Sequence, residues 1–319
     1  MKKVFIINLG IVFFILISLE LLANFLKLSD LRGIEKGLID TNHAIHKTIP
    51  GSSGVQFGKR IFIDKYGFRS PRENYDYNNS NDSVFIIGDS VTFGNGVDED
   101  KIFVGRLRKE FKNINFYNTA VPGYNLKHFK YNLKEIDNFK NINKIFYFIT
   151  FNDVYGGKSI VQLNKNDSIK KNLLSLNIIP NKINAFLRNK SYLYMLILGI
   201  VTDPSKRYFQ TILNFYQNQN LDAFKDYLLV LKNKALKNDI ELKIIILPYE
   251  YQTRKCIEKN FIPQEKIANI ISNLKIDFSD YTKEFCKIKK PKNLFLKFDP
   301  MHLSPQGHNL VFNLIRNKI

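Results

Sequence analysis

The chain begins with an apolar run from Val4 to Leu26 whose only polar side chains are Asn8, Ser18, Glu20 and Asn24. About 20 such residues in a helix suffice to cross a hydrocarbon core. Lys2 and Lys3 precede the run, which favours a cytoplasmic N-terminus and export of everything that follows. A cleaved signal peptide is the competing reading. The run is longer than an ordinary signal h-region and no A-x-A-like site follows it, so a signal anchor over residues 1–27 is expected. Glu20 falls near the far end, where a carboxylate reaches interfacial water.

Residues 28–82 carry no sustained period and read as a linker with N-terminal decoration. They contain a turn at Pro50-Gly51-Ser52-Ser53-Gly54 and a hairpin in which Ile61 to Ile63 and Phe68 flank Lys65-Tyr66-Gly67. The polar stretch Asn74 to Asp82 predicts a loop, and a boundary there leaves 83–319 as the main domain. From Val84 the pattern changes to short apolar strands alternating with helical spacing. Strands are predicted over Val84–Ile87, Ile114–Tyr117, Lys144–Ile149, Leu242–Leu247 and Leu294–Phe298. Helices are predicted over Asp98–Phe111, Leu126–Phe139, Leu221–Asn238 and Pro305–Ile319. That alternation implies an α/β fold with a central parallel sheet covered on both faces. Ser191 to Val201 is too short to span a membrane and predicts a buried or interfacial helix.

Composition changes this picture little. The 319 residues carry 48 Lys and Arg against 29 Asp and Glu, a formal charge of +19. The basic residues are spread along the whole chain, whereas a nucleic-acid binder concentrates them against a run of phosphates, so no nucleic-acid partner is expected. Cys256 and Cys286 are the only cysteines. They either form one disulfide in an oxidising compartment or stay as thiols. No His/Cys cluster has metal-ligand spacing, and neither a metal nor an organic cofactor is expected.

Candidate chemistry sits where strands are predicted to end. Val84–Ile87 runs into Gly88-Asp89-Ser90, which presents a serine above the sheet, with Gly88 easing a tight backbone path. Leu294–Phe298 runs into Asp299-Pro300-Met301-His302. A carboxylate three residues before a histidine can bond Nδ1–H and leave Nε2 free to take a hydroxyl proton. Of the other histidines, His43, His46, His128 and His308 read as structural or solvated. Two further segments offer donors for an oxyanion: Gly123, after the second predicted strand, and Asn152, after the third. Taken singly each is an ordinary turn or cap.

The ordered set Gly88-Asp89-Ser90, Gly123, Asn152-Asp153 and Asp299-x-x-His302 resembles the four sequence blocks of the SGNH (GDSL-like) hydrolase superfamily. Phe85 to Val97 and Tyr66-Gly67-Phe68-Arg69 resemble its membrane-anchored bacterial members, often associated with surface glycans. The resemblance covers roughly residues 60–319 and implies a three-layer α/β/α fold. It also implies Ser90 as nucleophile, His302 as base, Asp299 as its orienter, and an oxyanion hole from Ser90, Gly123 and Asn152. Asp89 and Asp153 organise the site by hydrogen bonding. Thr150 departs from the pattern, standing where the third block usually has glycine. The implied activity is ester hydrolysis through an acyl-enzyme, on an acylated carbohydrate or lipid outside the cytoplasm. An O-acyltransferase of surface glycan, and a silent scaffold or glycan-binding module, are the alternatives.

Overall fold

The computed structural model describes residues 2–33, 37–40, 45–139, 141–154 and 180–319. The apolar run forms helix α1, Lys2–Phe25, 24 residues long and almost wholly exposed along its length. It is the one helix among the described residues long and apolar enough to cross a membrane.

The rest is built on an eight-stranded sheet. Strands β1 (Ile39–Asp40) and β2 (Lys47–Thr48) form a separate small ladder. The main sheet holds β3 (Ser53–Gln56), β4 (Lys59–Ile63), β5 (Arg69–Ser70), β6 (Asp82–Ile87), β7 (Ile114–Asn118), β8 (Ile142–Ile149), β9 (Glu241–Ile246) and β10 (Asp277–Asp280). Their order is β10-β9-β8-β6-β7-β5-β4-β3. The first five in that order are parallel and the last three are added antiparallel. The predicted hairpin is therefore β4–β5, and with β3 it extends the central sheet. Residues 53–70 are thus bonded into the same sheet as 82–149, although β5 touches β7 through the single pair Arg69↔Asn118.

The helices are α2 (Ser90–Phe93), α3 (Phe103–Glu110), α4 (Leu126–Glu135), α5 (Asn181–Lys190), α6 (Tyr192–Thr202), α7 (Pro204–Asn218), α8 (Asp222–Lys237), α9 (Glu250–Lys255), α10 (Ile262–Asn273), α11 (Thr282–Cys286) and α12 (Pro305–Ile315). Neighbouring side chains of a strand point to opposite faces, and β8 shows both faces covered. Phe148 meets Phe103 of α3, which in turn meets His308 of α12, at ring separations of 4.6 and 5.7 Å. Tyr147 meets Phe129 of α4 and Tyr227 of α8 at 5.3 and 5.8 Å. The expected three layers follow.

Chain winding reverses at β7. From β6 the chain moves outward to β7, then crosses back over β6 to β8 and continues to β9 and β10. Adjacent strands β6 and β8 thus send their outgoing connections to opposite faces, which opens a crevice at their carboxyl ends.

One sequence expectation fails, and one strand goes unpredicted. Leu294–Phe298 is not a strand: Pro291–Leu294 forms a 3₁₀ turn and only Phe295 pairs, with Leu303. Phe298 has φ of +58°, a left-handed conformation that an extended run cannot accommodate. The apolar residues there are core plugs (Leu294, Phe295 and Leu296 are all buried), and a short apolar run does not distinguish the two. Conversely β10, with sequence Asp-Phe-Ser-Asp, is a strand that no apolar pattern marks; it lies at the sheet's edge.

Candidate active site

The crevice between β6 and β8 is where the sequence places its serine. Gly88 follows β6, and a Cβ on it would lie 2.2 Å from Thr92 Oγ1, so only glycine lets the strand turn into α2. Asp89 caps that short helix, accepting from the Val91 N–H at 2.9 Å. Ser90 is the first residue of α2 and its side chain faces His302: Oγ lies 2.9 Å from His302 Nε2. The Asp89 carboxylate is farther away, at 3.5 Å.

His302 is fixed from its other nitrogen. Nδ1 lies 3.0 and 2.9 Å from the two oxygens of Asp299. The Asp299 carboxylate also accepts from the backbone N–H groups of Met301 and His302, at 2.9 and 2.8 Å. The three-residue spacing therefore closes a tight turn in which one carboxylate holds both ends of the histidine. Asp299 is fully buried. Burial alone raises its pKa, but the Arg32 guanidinium, then the His302 ring and backbone bonds, outweigh it and hold the carboxyl well below the usual range. An ionised Asp299 fixes the tautomer with Nδ1 protonated and Nε2 free to accept the Ser90 proton. Phe57 packs edge-on against the His302 ring at 5.3 Å.

Asn152 follows β8. One of its two amide hydrogens goes to Asp89 at 3.0 Å, leaving the other for a ligand. Its carbonyl oxygen accepts from Tyr249 Oη at 2.5 Å, and its N–H donates to the same Oη at 3.0 Å. Thr150, the departure from the family pattern, puts its hydroxyl 3.1 Å from Asp89, 2.9 Å from Asn152 Oδ1 and 3.3 Å from Asp153. Burial, then the Asp89 carboxylate, pushes Asp153 well above the carboxylate range. A neutral Asp153 can donate to Thr150, which then passes its own hydrogen to Asp89 or Asn152. The hydroxyl thus links the two aspartates where a glycine would leave a gap.

Gly123 lies past β7 in the left-handed region, at φ +82°, and is exposed. His46 Nε2 bonds the neighbouring Pro122 carbonyl oxygen at 2.8 Å. His46, Tyr124 and His128 form one ring cluster with centroids 4.9 to 5.3 Å apart, so His46 and His128 are packed groups. His43 lies outside the described residues. Ser90 and Asn152 thus follow strands as expected, Gly123 comes five residues after one, and His302 arrives on a turn.

Solved structures similar to this chain include lipolytic proteins and acylhydrolases. A lipolytic protein of the G-D-S-L family from Veillonella parvula is 14% identical, with a TM-score of 0.42 over 74% of this chain and 96% of that one. A lipase/acylhydrolase from Enterococcus faecalis is 10% identical, at 0.43 over 74% and 96%. The acetyl xylan esterase AlAXEase is 15% identical, at 0.45 over 74% and 99%. No family model matches the chain, and neither does any curated protein. At this distance the likeness lends no chemistry to this chain, whose own residues must supply it.

Two contributors escape sequence reasoning. Arg32, from the stretch read as a linker, places Nη2 3.3 Å from Asp299 Oδ2 and also bonds the Phe298 carbonyl oxygen. Tyr249 follows β9 by three residues and clamps Asn152. Arg69, in the Tyr66-Gly67-Phe68-Arg69 motif, is fully buried and donates to the carbonyl oxygens of Phe93, Gly94 and Val97 at 2.6 to 2.7 Å. It thereby holds the loop that follows α2.

Proposed function

We propose that this chain is a membrane-anchored serine hydrolase of the SGNH type that cleaves esters through an acyl-enzyme. One observation carries the reading: an unbroken line of hydrogen bonds from Ser90 Oγ through His302 to a buried, ionised Asp299. His302 Nε2 takes the Ser90 proton as Oγ attacks the ester carbonyl, and Asp299 steadies the imidazolium that results. The Ser90 and Gly123 N–H groups and the second Asn152 amide hydrogen are the donors for the tetrahedral oxyanion. His302 then returns the proton to the leaving alkoxide, and water releases the acid and restores Ser90. Asp89, Asp153 and Thr150 position Asn152 and do not react.

The exported location is supported by Lys2 and Lys3 ahead of α1. It is further supported by the disulfide between Cys256 and Cys286, a bond that persists in oxidising compartments. An acylated carbohydrate or lipid is the substrate class. Transfer to a sugar hydroxyl in place of water uses the same first step, and product analysis with and without an acceptor sugar separates the two.

A fluorophosphonate probe tests the chemistry directly. The folded protein should be labelled and Ser90→Ala should not; a folded wild-type protein that resists the probe removes the hydrolase reading.

A further inference from the structure

Helices α5 and α6 carry apolar side chains on the outside. On α6, Ile197, Ile200 and Val201 are 53%, 66% and 48% exposed, and their i, i+3, i+4 spacing puts them on one face. On α5, Ile183 and Phe186 are 51% and 63% exposed. The opposite side of α6 is buried through Met195 and Gly199. With 11 residues α6 is too short to span a bilayer, yet as a surface in water this stripe is costly.

Its position relative to α1 identifies what covers it. Glu20 of α1 accepts from Ser191 Oγ at 2.6 Å and from the N–H groups of Tyr192 and Leu193 at 2.7 and 3.0 Å. The one carboxylate in the apolar helix thus caps the first turn of α6, where the helix dipole favours a negative charge. Glu20 lies five residues before the end of α1 at Phe25, a depth of about 8 Å along the helix at 1.5 Å per residue. Interfacial helices settle about 5–10 Å into the boundary between headgroups and acyl chains. Lys27 lies over the Tyr192 ring at 5.5 Å, and Lys182 and Lys190 of α5 are exposed, which suits anionic headgroups.

We propose that the outer face of α5 and α6 rests in the bilayer that α1 enters, so that the domain lies on the lipid rather than standing off it on a tether. This rests on the membrane-anchor reading of α1. The same contacts bring the candidate site to the lipid surface. Gly199 of α6 sits so close to Phe298 that a Cβ would be 2.1 Å from its ring. Ser29 Oγ bonds the Tyr192 carbonyl oxygen at 2.6 Å, Asp30 accepts from the Lys297 N–H at 2.7 Å, and Arg32 pairs with Asp299. The loop that carries Asp299 is therefore held between the exit of α1 and a helix lying in the interface. If the hydrolase reading stands, esters presented by lipids at that surface are the substrates within reach.

The chain contains no tryptophan, so one introduced tryptophan reports alone. Ile11→Trp, Phe186→Trp, Ile200→Trp and Leu236→Trp all fall at exposed positions. Each full-length variant is placed one chain per nanodisc in phosphatidylcholine and phosphatidylglycerol whose acyl chains are brominated. The Ile11, Phe186 and Ile200 reporters should lose about half their emission relative to unbrominated discs, as acyl-chain contact requires; Leu236→Trp, on α8, should lose none. Quenching of the Ile11 reporter alone overturns the proposal and leaves the anchor standing. That outcome assigns the stripe to a second copy or another protein. No quenching at Ile11 either removes the anchor and the proposal together. Because no arm measures turnover, failure of the hydrolase reading leaves this result unaffected.

Discussion

Replacing Arg32 with methionine keeps the apolar stem and deletes the charge that faces Asp299. The side chains of the pair are 10% and 1% exposed and their nearest atoms are 3.3 Å apart, so solvent screens them little. At an effective dielectric of 20 the attraction is about 5 kcal/mol. Asp299 keeps the His302 ring and the N–H groups of Met301 and His302, which retain part of that stabilisation. Breaking a buried pair from one side costs about 3 kcal/mol, and that is the expected drop in unfolding free energy, read from urea titration of the full chain in detergent micelles. Without Arg32 the Asp299 carboxyl rises from its depressed value. If the proposed hydrolase mechanism holds, turnover of an aryl acetate should fall about tenfold in kcat with KM unchanged, because Arg32 pairs with Asp299 behind the proposed base and not with substrate. The sign of the pH effect follows from the same shift. A higher Asp299 pKa means that activity dependent on its anion fails earlier as pH falls, so the acid limb of the variant's profile moves up. Asp299→Asn, by contrast, should lose about 10⁴ in kcat through the wrong tautomer. A methionine variant that unfolds at the wild-type urea concentration and turns over at the wild-type rate would refute the assignment of Arg32 as the partner that keeps Asp299 charged.

The disulfide joins the end of α9 to the end of α11 across 30 residues, a loop whose closure removes about 3.5 kcal/mol of unfolded-chain entropy. Cys286→Ser should lower the unfolding free energy by about that much, and a variant as stable as the wild type would show the bridge to be idle. His128 is pushed down to about 4 by burial, then by His46 and Lys127. A histidine with a depressed folded pKa adds stability that is complete above its unfolded value of about 6.5 and is lost as pH falls towards 4. Wild type should therefore lose stability relative to His128→Gln across that window and match its pH dependence above about 7; parallel curves throughout would contradict the shift.

What could be read from the chain follows a physical division among these residues. Ser90 and His302 meet at 2.9 Å across 212 positions, yet each was visible because its immediate setting is local. Gly88 and Asp89 build the turn that presents the serine, and Asp299 reaches both the N–H and the ring of a histidine three residues on. Short-range geometry of that kind forces residue types at fixed spacings, and fixed spacings survive in a string of letters. The five parallel strands were legible for the same reason, β10 excepted, since an edge strand buries too little to demand an apolar run. The group behind the histidine follows no such rule. Arg32 reaches Asp299 from 267 positions away through a segment without period, and Tyr249 reaches Asn152 from 97. Nothing about their neighbours requires an arginine or a tyrosine; only the tertiary contact does. Glu20 is the instructive middle case. In the sequence it is a charge near the end of an apolar helix, tolerable because water is near. In the fold it is the cap of another helix, and the reason for the charge is a partner 171 residues further on. The residues at the centre of the candidate site are constrained by their own turn of chain, while those that hold them in place are constrained by whatever the fold happens to bring alongside.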